Sequence, residues 1–362
     1  MNARLHVGGA ILAKEINSTE IARLAGVSRS TVSRVINNYA NVPEQTKQKV
    51  MKVIEEHNYY PNLSAQVLAG KRTRTIGLFM IDPGRISGDI ISSMLLARVI
   101  ESASSRGYYV LTHIVRNASD PEEIRLIKEC FFQRRIDGGV FIGAANEEPV
   151  VEELIAEGFV TAIVDQRLPG RSEPNRLTFN FDNEAGIHQL VGYLAGLGHR
   201  KIGIINGDMN RHSGPAKWEA FQQAMAQEGL PIEEQWVLPG DFNEGSGYRA
   251  VKGLLEKESA LPTALLAAND SVAFGALRAL REAGLRVPED MSVVGFDDHH
   301  QSAHTDPPLT TVKIDFVSMM DELTRRLIAS IEQEDRLPGP APTAAAQLIV
   351  RASCRAIRKA DS

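Results

Sequence analysis

From Asn17 the polar and apolar positions fall into helical periods. Asn17 with Glu20 three residues later makes a capping-box-like start, and Ile21, Leu24 and Ala25 supply one apolar face before Gly26 ends the helix. A second helix starts at Ser28, another N-cap type, and runs through Thr31, Val32, Val35 and Ile36 to Asn37 and Asn38. Pro43 opens a third, with Val50, Val53 and Ile54 as its buried stripe. Three short helices in succession predict a very small domain. Pro61 then breaks the chain, Asn62 can cap a further helix over 63–69, and Gly70 ends it before the linker Lys71-Arg72-Thr73-Arg74. A helix that short is marginal alone in water and needs a partner. Residues 1–16 show no sustained period and read as a tail.

The pattern changes after this linker. Short apolar runs at 76–81, 108–115, 139–142, 160–164, 201–206, 264–268 and 292–296 alternate with amphipathic stretches at 90–106, 121–135, 183–197, 216–228, 271–283 and 316–331. Strand, helix, strand at this spacing predicts right-handed parallel crossovers in a doubly wound α/β architecture. Breaks near Pro174 and Pro307-Pro308 divide it into two lobes. The expected fold is an all-α head and hinge helix followed by a two-lobed α/β body with two parallel sheets. Ligands of open α/β sheets sit at the carboxyl ends of strands, so the cleft between the lobes is the expected site.

Composition is ordinary for a globular chain, at 43% hydrophobic and 23% charged over 362 residues, a length that suits about two or three domains. The net charge of -5 argues against a nucleic-acid partner until it is divided. Residues 1–75 carry 11 basic and five acidic side chains, so this head is +6 and the remainder -11. Only the head end can face a polyanion. Cys130 and Cys354 are the two cysteines, far apart and in no C-x-x-C pair, which disfavours a disulfide scaffold or zinc knuckle and fits a reducing cytosol. No apolar run approaches the roughly 18 residues of a membrane span. The stretch 7–13 is short, holds two glycines and leads into a basic helical segment, so a cytoplasmic location is expected over secretion.

The segment from Ala22 to Val35 has the anatomy of a helix-turn-helix, with small Ala22 at the helix crossing, Gly26 in the tight turn, and Val27 and Val32 inward. A second helix from Ser28 would project Arg29, Ser30, Ser33 and Arg34 outward. Arginine can bond guanine O6 and N7 bidentately, while hydroxyls and a helix N-terminus suit phosphates. A helical hairpin with a solvated face is the bland alternative.

These residues resemble the lactose and galactose repressor (LacI/GalR) family of bacterial transcription regulators. Ile21-Ala22 and Ala25 to Ser28, then Thr31 to Asn37, are similar to its helix-turn-helix, and Tyr60-Pro61-Asn62 with Ala65, Leu68, Ala69 and Gly70 to its hinge helix. Further family-like stretches are Arg74 to Leu78, Gly198 to Gly203, Asn269-Asp270, Val287 to Asp290, Gly295 to Asp298 and Pro307 to Val312. The resemblance implies a periplasmic-binding-protein-like effector body. It places Arg29, Ser30 and Arg34 on base-reading positions and Ser28, Thr31, Ser33 and Asn37 on phosphate-contacting ones. Leu68 falls on an apolar wedge that opens a base step from the minor groove, and Ala65 is small enough to let the hinge helix approach the groove floor. Leu68 packed on its own lobe is the alternative.

For the cleft, the resemblance implies effector contacts at Asp165, Arg211, Ser213, Lys217, Phe242, Asn269 and Asp297, a set suited to a polyhydroxylated or heterocyclic ligand. Each could instead be a loop-end hydrogen bonder. Lys217 stands where the family usually has arginine, losing the planar fork. The loop between Asp82 and Asp89 is several residues longer than usual and lacks the common aromatic pair, leaving Ile91 and Ser92.

Other chemistry is poorly supported. The run Asp297 to Asp306 holds His299, His300 and His304, but adjacent histidines do not easily converge on one ion, and no metal is expected. Gly70-Lys71 lacks the preceding glycine of a P-loop, and neither G-x-G-x-x-G after a strand nor G-x-S-x-G occurs. No cofactor is expected. Cys130-Phe131-Phe132 and Trp218 read as packing residues. The chain divides into a tail at 1–16, a helix-turn-helix at 17–61, hinge helix and linker at 62–75, an effector and dimerisation body at 76–354, and a tail at 355–362. Within the body the N-lobe takes about 76–180 and 311–335, the C-lobe about 181–308 and 339–354. The expected function is a non-enzymatic repressor that binds a palindromic DNA operator as a homodimer. Its effector would be a sugar, nucleoside or related small molecule, with no membrane involved. No heptad segment follows Arg351-Ala352-Ser353, so a dimer is expected over a tetramer. The competing reading is a two-lobed sugar-binding module or sugar-processing enzyme with an N-terminal helical dimerisation element.

Overall fold

The computed structural model describes residues 6–7, 10–11, 16–60, 67, 70, 72–81, 90–168, 170–257, 260–333 and 343–357. The chain divides into two units, 1–73 and 74–362. In the first, the Asn17 side chain accepts from the backbone N–H groups of Thr19 and Glu20, both at 3.0 Å, and so starts helix α1, Ser18–Ala25. Gly26 closes it with φ 62°. Ser28 Oγ accepts from Thr31 N at 3.1 Å to start α2, Arg29–Ile36, and α3, Glu44–Glu56, follows Pro43. Ile21, Ala22, Ala25, Val32, Val35 and Val50 form the buried centre. Of the helix expected over 63–69 only Val67 is described, so Ala65 and Leu68 lie outside the described residues. In the expected irregular tail, His6–Val7 pairs antiparallel with Ala10–Ile11.

The N-lobe of the second unit is built from strands β1 (Thr75–Ile81), β2 (Tyr109–Val115), β3 (Gly138–Ile142), β4 (Thr161–Val164) and β5 (Arg176–Phe179). They form one parallel sheet in the order β2-β1-β3-β4-β5. Helices α4 (Ile90–Ser105), α5 (Pro121–Phe132) and α6 (Pro149–Ala156) make the crossovers. β3 is buried at every position, as a parallel strand covered on both faces must be. Edge strand β2 instead leaves Tyr109, Leu111 and Ile114 exposed.

The C-lobe follows with α7 (Asn183–Gly196), β6 (Ile202–Ile205), α8 (Ser213–Gln227), β7 (Val237–Leu238), α9 (Glu244–Lys257), β8 (Ala264–Ala267), α10 (Asp270–Glu282) and β9 (Ser292–Val294). Its parallel sheet has the order β9-β8-β6-β7. The chain then runs through β10 (Thr311–Ile314) into α11 (Phe316–Glu332), which packs against α4 and the N-lobe strands. It returns through β11 (Ala346–Ile349), antiparallel to β10 and against α7. Three crossings therefore join the lobes, after β5, after β10 and before β11.

Several elements depart from the sequence reading. β7 is only two residues long and β5 is half-buried, so neither has an apolar run to reveal it. α9 carries Gly245, Gly247 and Gly253, which depress helix propensity and hide its period. α8 starts at Ser213, not at 216, because Pro215 in a first turn has no intrahelical N–H bond to lose. Ser213 is thus the first residue of a helix and not a loop residue. Cys130 and Phe131 are core residues, whereas Phe132 is half-exposed and meets Phe159 edge-on.

Candidate nucleic-acid interface and ligand cleft

The N-terminal half of α2 presents a hydroxyl and guanidinium surface. Ser28 Oγ lies 2.7 Å from Ser30 Oγ and 2.8 Å from Thr31 Oγ1, so three hydroxyls converge where the helix N–H groups point outward. Arg29, Ser30, Ser33 and Arg34 are exposed, and Thr31 and Asn37 are half-buried. Asn37 Nδ2 donates to Ser33 Oγ at 3.3 Å. Arg29 Nε donates to Ser18 Oγ at 3.1 Å, which ties the start of α2 back to α1 and orients that guanidinium. Val32 and Val35 face the opposite way, into the core. This segregation follows from the 3.6-residue period read in the sequence.

In the second unit, strand ends from both lobes converge on a cleft. Asp165 follows β4 with φ 67°, and its carboxylate accepts from both Oγ and N of Ser213, the latter at 3.3 Å. Asn183 Nδ2 donates to the same Ser213 Oγ at 3.2 Å. Asn183 is buried, and its Oδ1 has no hydrogen-bond partner among the described residues. Among the described residues, further bonds between the lobes run from Asn146 N to Asn210 O at 3.0 Å and from Arg211 Nη2 to Ile81 O at 3.5 Å. These bonds link described residues of the two lobes.

Lys217, one turn along α8, is fully enclosed. Its Nζ donates to Ala268 O at 2.7 Å and lies 3.7 Å from the Phe296 ring centroid and 5.7 Å from that of Phe242. Burial pushes its pKa down, against the pull of Asp297, Asp165 and Asp270. Neighbouring His212 is also pushed down by burial, partly offset by Asp165. Phe242 packs closely on Gly207, where a Cβ would come within 2.3 Å of the ring. Arg211 reaches toward the same ring, 6.0 Å from its centroid, and pairs with Asp208.

Asn269 caps α10 through Val272 N at 2.9 Å and holds Phe242 O at 3.0 Å, so both ends of its amide serve the scaffold. Asp297, with φ 113°, is held by Asp297 N donating to Val312 O at 2.7 Å. The seven expected cleft residues thus gather at strand ends and helix starts of the two lobes. Asn183, His212 and Phe296 join them unforeseen. Asn183 opens a predicted helix, and only the fold brings it to Ser213. In the histidine-rich run, His299 is buried against Phe274, and the His300 and His304 rings lie 5.1 Å apart. No cluster of three or more possible metal ligands occurs among the described residues, nor any helix long and apolar enough to cross a membrane.

Residues 19–62 match the family described as bacterial regulatory proteins, lacI family, and residues 191–354 match a periplasmic binding protein-like domain. The transcriptional repressor PurR of Haemophilus influenzae (strain PittEE) is 33% identical over 317 residues, 87% of this chain and 91% of the relative. The transcriptional regulator DegA of Bacillus subtilis (strain 168) is 34% identical over 296 residues, 81% of this chain and 85% of the relative. Among solved structures, the lac repressor dimer bound to operator and the anti-inducer ONPF superposes with TM-score 0.78 at 29% identity, over 95% of this chain and 100% of that one. The CelR–cellobiose complex superposes with TM-score 0.71 at 29% identity, over 93% and 99%.

Proposed function

Because the chain belongs to the lacI family of bacterial regulatory proteins, and so is a DNA-binding transcriptional repressor and not an enzyme, we propose how its own residues divide that work. Arg29, Ser30 and Arg34 read base edges in the major groove, and Ser28, Thr31, Ser33 and Asn37 hold phosphates. The exposed hydroxyl and guanidinium face at the start of α2 carries this reading. Ala65 and Leu68 enter the minor groove as a hinge.

One such helix reads only a few base pairs, so two copies act together on a palindromic operator. The structural neighbour bound to operator is itself a dimer. Exposed Tyr109, Leu111 and Ile114 on the open edge of β2 suit a second copy of the chain. Bacterial DNA lies in the cytoplasm, and the protein works there.

The effector is a sugar, nucleoside or related metabolite held between the lobes. Asp165, Asp297 and Asn183 offer acceptors, Arg211 and Lys217 donors, and Phe242 a flat apolar face. CelR, a structural neighbour, holds cellobiose. An effector that prefers one lobe arrangement changes operator affinity by its differential binding alone. The test is selection of bound DNA sequences by the full chain, repeated with sugars, nucleosides and phosphorylated metabolites. A recovered palindrome whose enrichment changes with one compound class supports the reading. Binding without sequence preference, unaltered by any of them, overturns it.

A further inference from the structure

Asp270 is the first residue of α10 and is almost wholly buried. Its carboxylate takes three donors from two other segments. Oδ2 accepts from His299 N at 2.7 Å and from Ser302 Oγ, and Oδ1 accepts from Thr311 Oγ1 at 2.6 Å. His299 and Ser302 belong to the turn that begins with Asp297, whereas Thr311 begins β10, the crossing strand between the lobes. The backbone beside it is shaped for this approach: a Cβ on Gly295 would lie 2.1 Å from Asp270 Oδ1. The same turn is also tied to the segment after β11, since Asp298 pairs with Arg351, which also donates to Leu309 O at 2.8 Å.

We propose that Asp270 is a positioning residue that clamps the effector-facing Asp297–His299 turn to crossing strand β10, so that the cleft wall and the lobe hinge move as one body. The inference rests on the reading of the cleft as the effector site. It gives that site a mechanical output, because a ligand that pulls on Asp297 also pulls on β10 through Asp270 and through Asp297 N on Val312 O.

Charge makes the clamp readable. Burial outweighs the three donors and pushes the Asp270 carboxyl up to about 7. Asp298 acts on it from the turn and Lys217 from α8, with Asp297 beside that lysine; His299 presents its backbone N–H while its ring packs on Phe274, β10 presents Thr311 and the end of β9 presents Gly295. A carboxyl whose pKa is raised in the closed site favours opening as pH rises from the ordinary carboxyl range toward the raised value, with a plateau above it.

The experiment is backbone amide exchange of the full chain, without ligand, at Gly295, Asp297, His299 and Ser302, divided by the intrinsic rate at each pH. The opening equilibrium of this turn is expected to rise about tenfold between pH 5.5 and 7.0 in the native chain and then level off. Asp270→Asn keeps the shape and loses the charge, and its profile is expected to be flat. Thr311→Val keeps the strand and removes one donor, so the plateau moves to higher pH; because Thr311 Oγ1 also accepts from Asp298 N at 3.4 Å, it is this displaced plateau, and not faster exchange alone, that reports the clamp. A slope shared by the native chain and Asp270→Asn, a flat native profile, or a Thr311→Val effect confined to β10 overturns the proposal. Any of those leaves the effector reading standing. Failure of every sugar and nucleoside to bind leaves the clamp standing.

Discussion

Ser213→Ala tests whether the cleft holds itself shut. The hydroxyl is the middle of a chain running from Asn183 Nδ2 through Ser213 Oγ to the Asp165 carboxylate, which joins the C-lobe to the N-lobe. Removing it deletes a charge-assisted bond and leaves a buried Asn183 amide without its acceptor. Hydrogen bonds to charged groups contribute about 1.5–3 kcal/mol, so the closed arrangement should lose roughly tenfold to a hundredfold against an open one. Ser213 N to Asp165 at 3.3 Å, Asn146 N to Asn210 O and the long Arg211 bond to Ile81 O remain, which keeps the loss partial. Spin labels on exposed Glu157 of the N-lobe and Glu256 of α9 in the C-lobe report the distance distribution between lobes. The variant should broaden toward longer distances, and Ser213→Thr, which retains a hydroxyl, should not. Identical distributions in the native chain and Ser213→Ala would refute the latch.

Arg34→Ala should cost about 1–3 kcal/mol in operator binding and relax preference at one position per half-site, read by binding to single-base operator variants. Leu68→Ala should weaken specific binding far more than non-specific binding; equal losses in a competition titration would contradict the wedge. Val32→Ala removes a fully buried side chain from a six-residue core, and about 1–3 kcal/mol of lost stability should appear in the calorimetric transition of the head but not of the body. His199 is buried between Thr263 Oγ1 and Arg355 O, and burial pushes its pKa down. The unfolded chain therefore takes up its proton first, and body stability should be intact above the ordinary histidine pKa of about 6.5 and fall below it. His199→Gln should flatten that acid limb in urea titrations at several pH values.

Much of the head and the alternation of the body were legible along the chain. Asn17, Ser28 and Gly26 act on backbone groups within four residues, and the buried Ile21, Ala22, Ala25, Val32 and Val35 repeat at the helical period, so local physics alone determines them. The long central strands were legible for the same reason, since a strand covered on both faces needs a continuous apolar run. Charge split between head and body likewise required only counting, and it pointed the basic end toward DNA.

Tertiary structure decided what convergence requires. Asp165, Asn183 and Ser213 belong to three different elements, and nothing in their spacing says that one serine hydroxyl will receive from one and donate to another across two lobes. Lys217 meets Ala268 O and Phe296 only because α8 lies over the carboxyl ends of β8 and β9. Asp270 stood in the chain only as half of a family-like Asn269-Asp270 pair; buried with three donors from distant segments, it becomes the clamp of the hinge. Periodicity reports which face of an element is buried, while the partners on that face are chosen by strand order and by the three crossings, interactions between residues tens to more than a hundred positions apart.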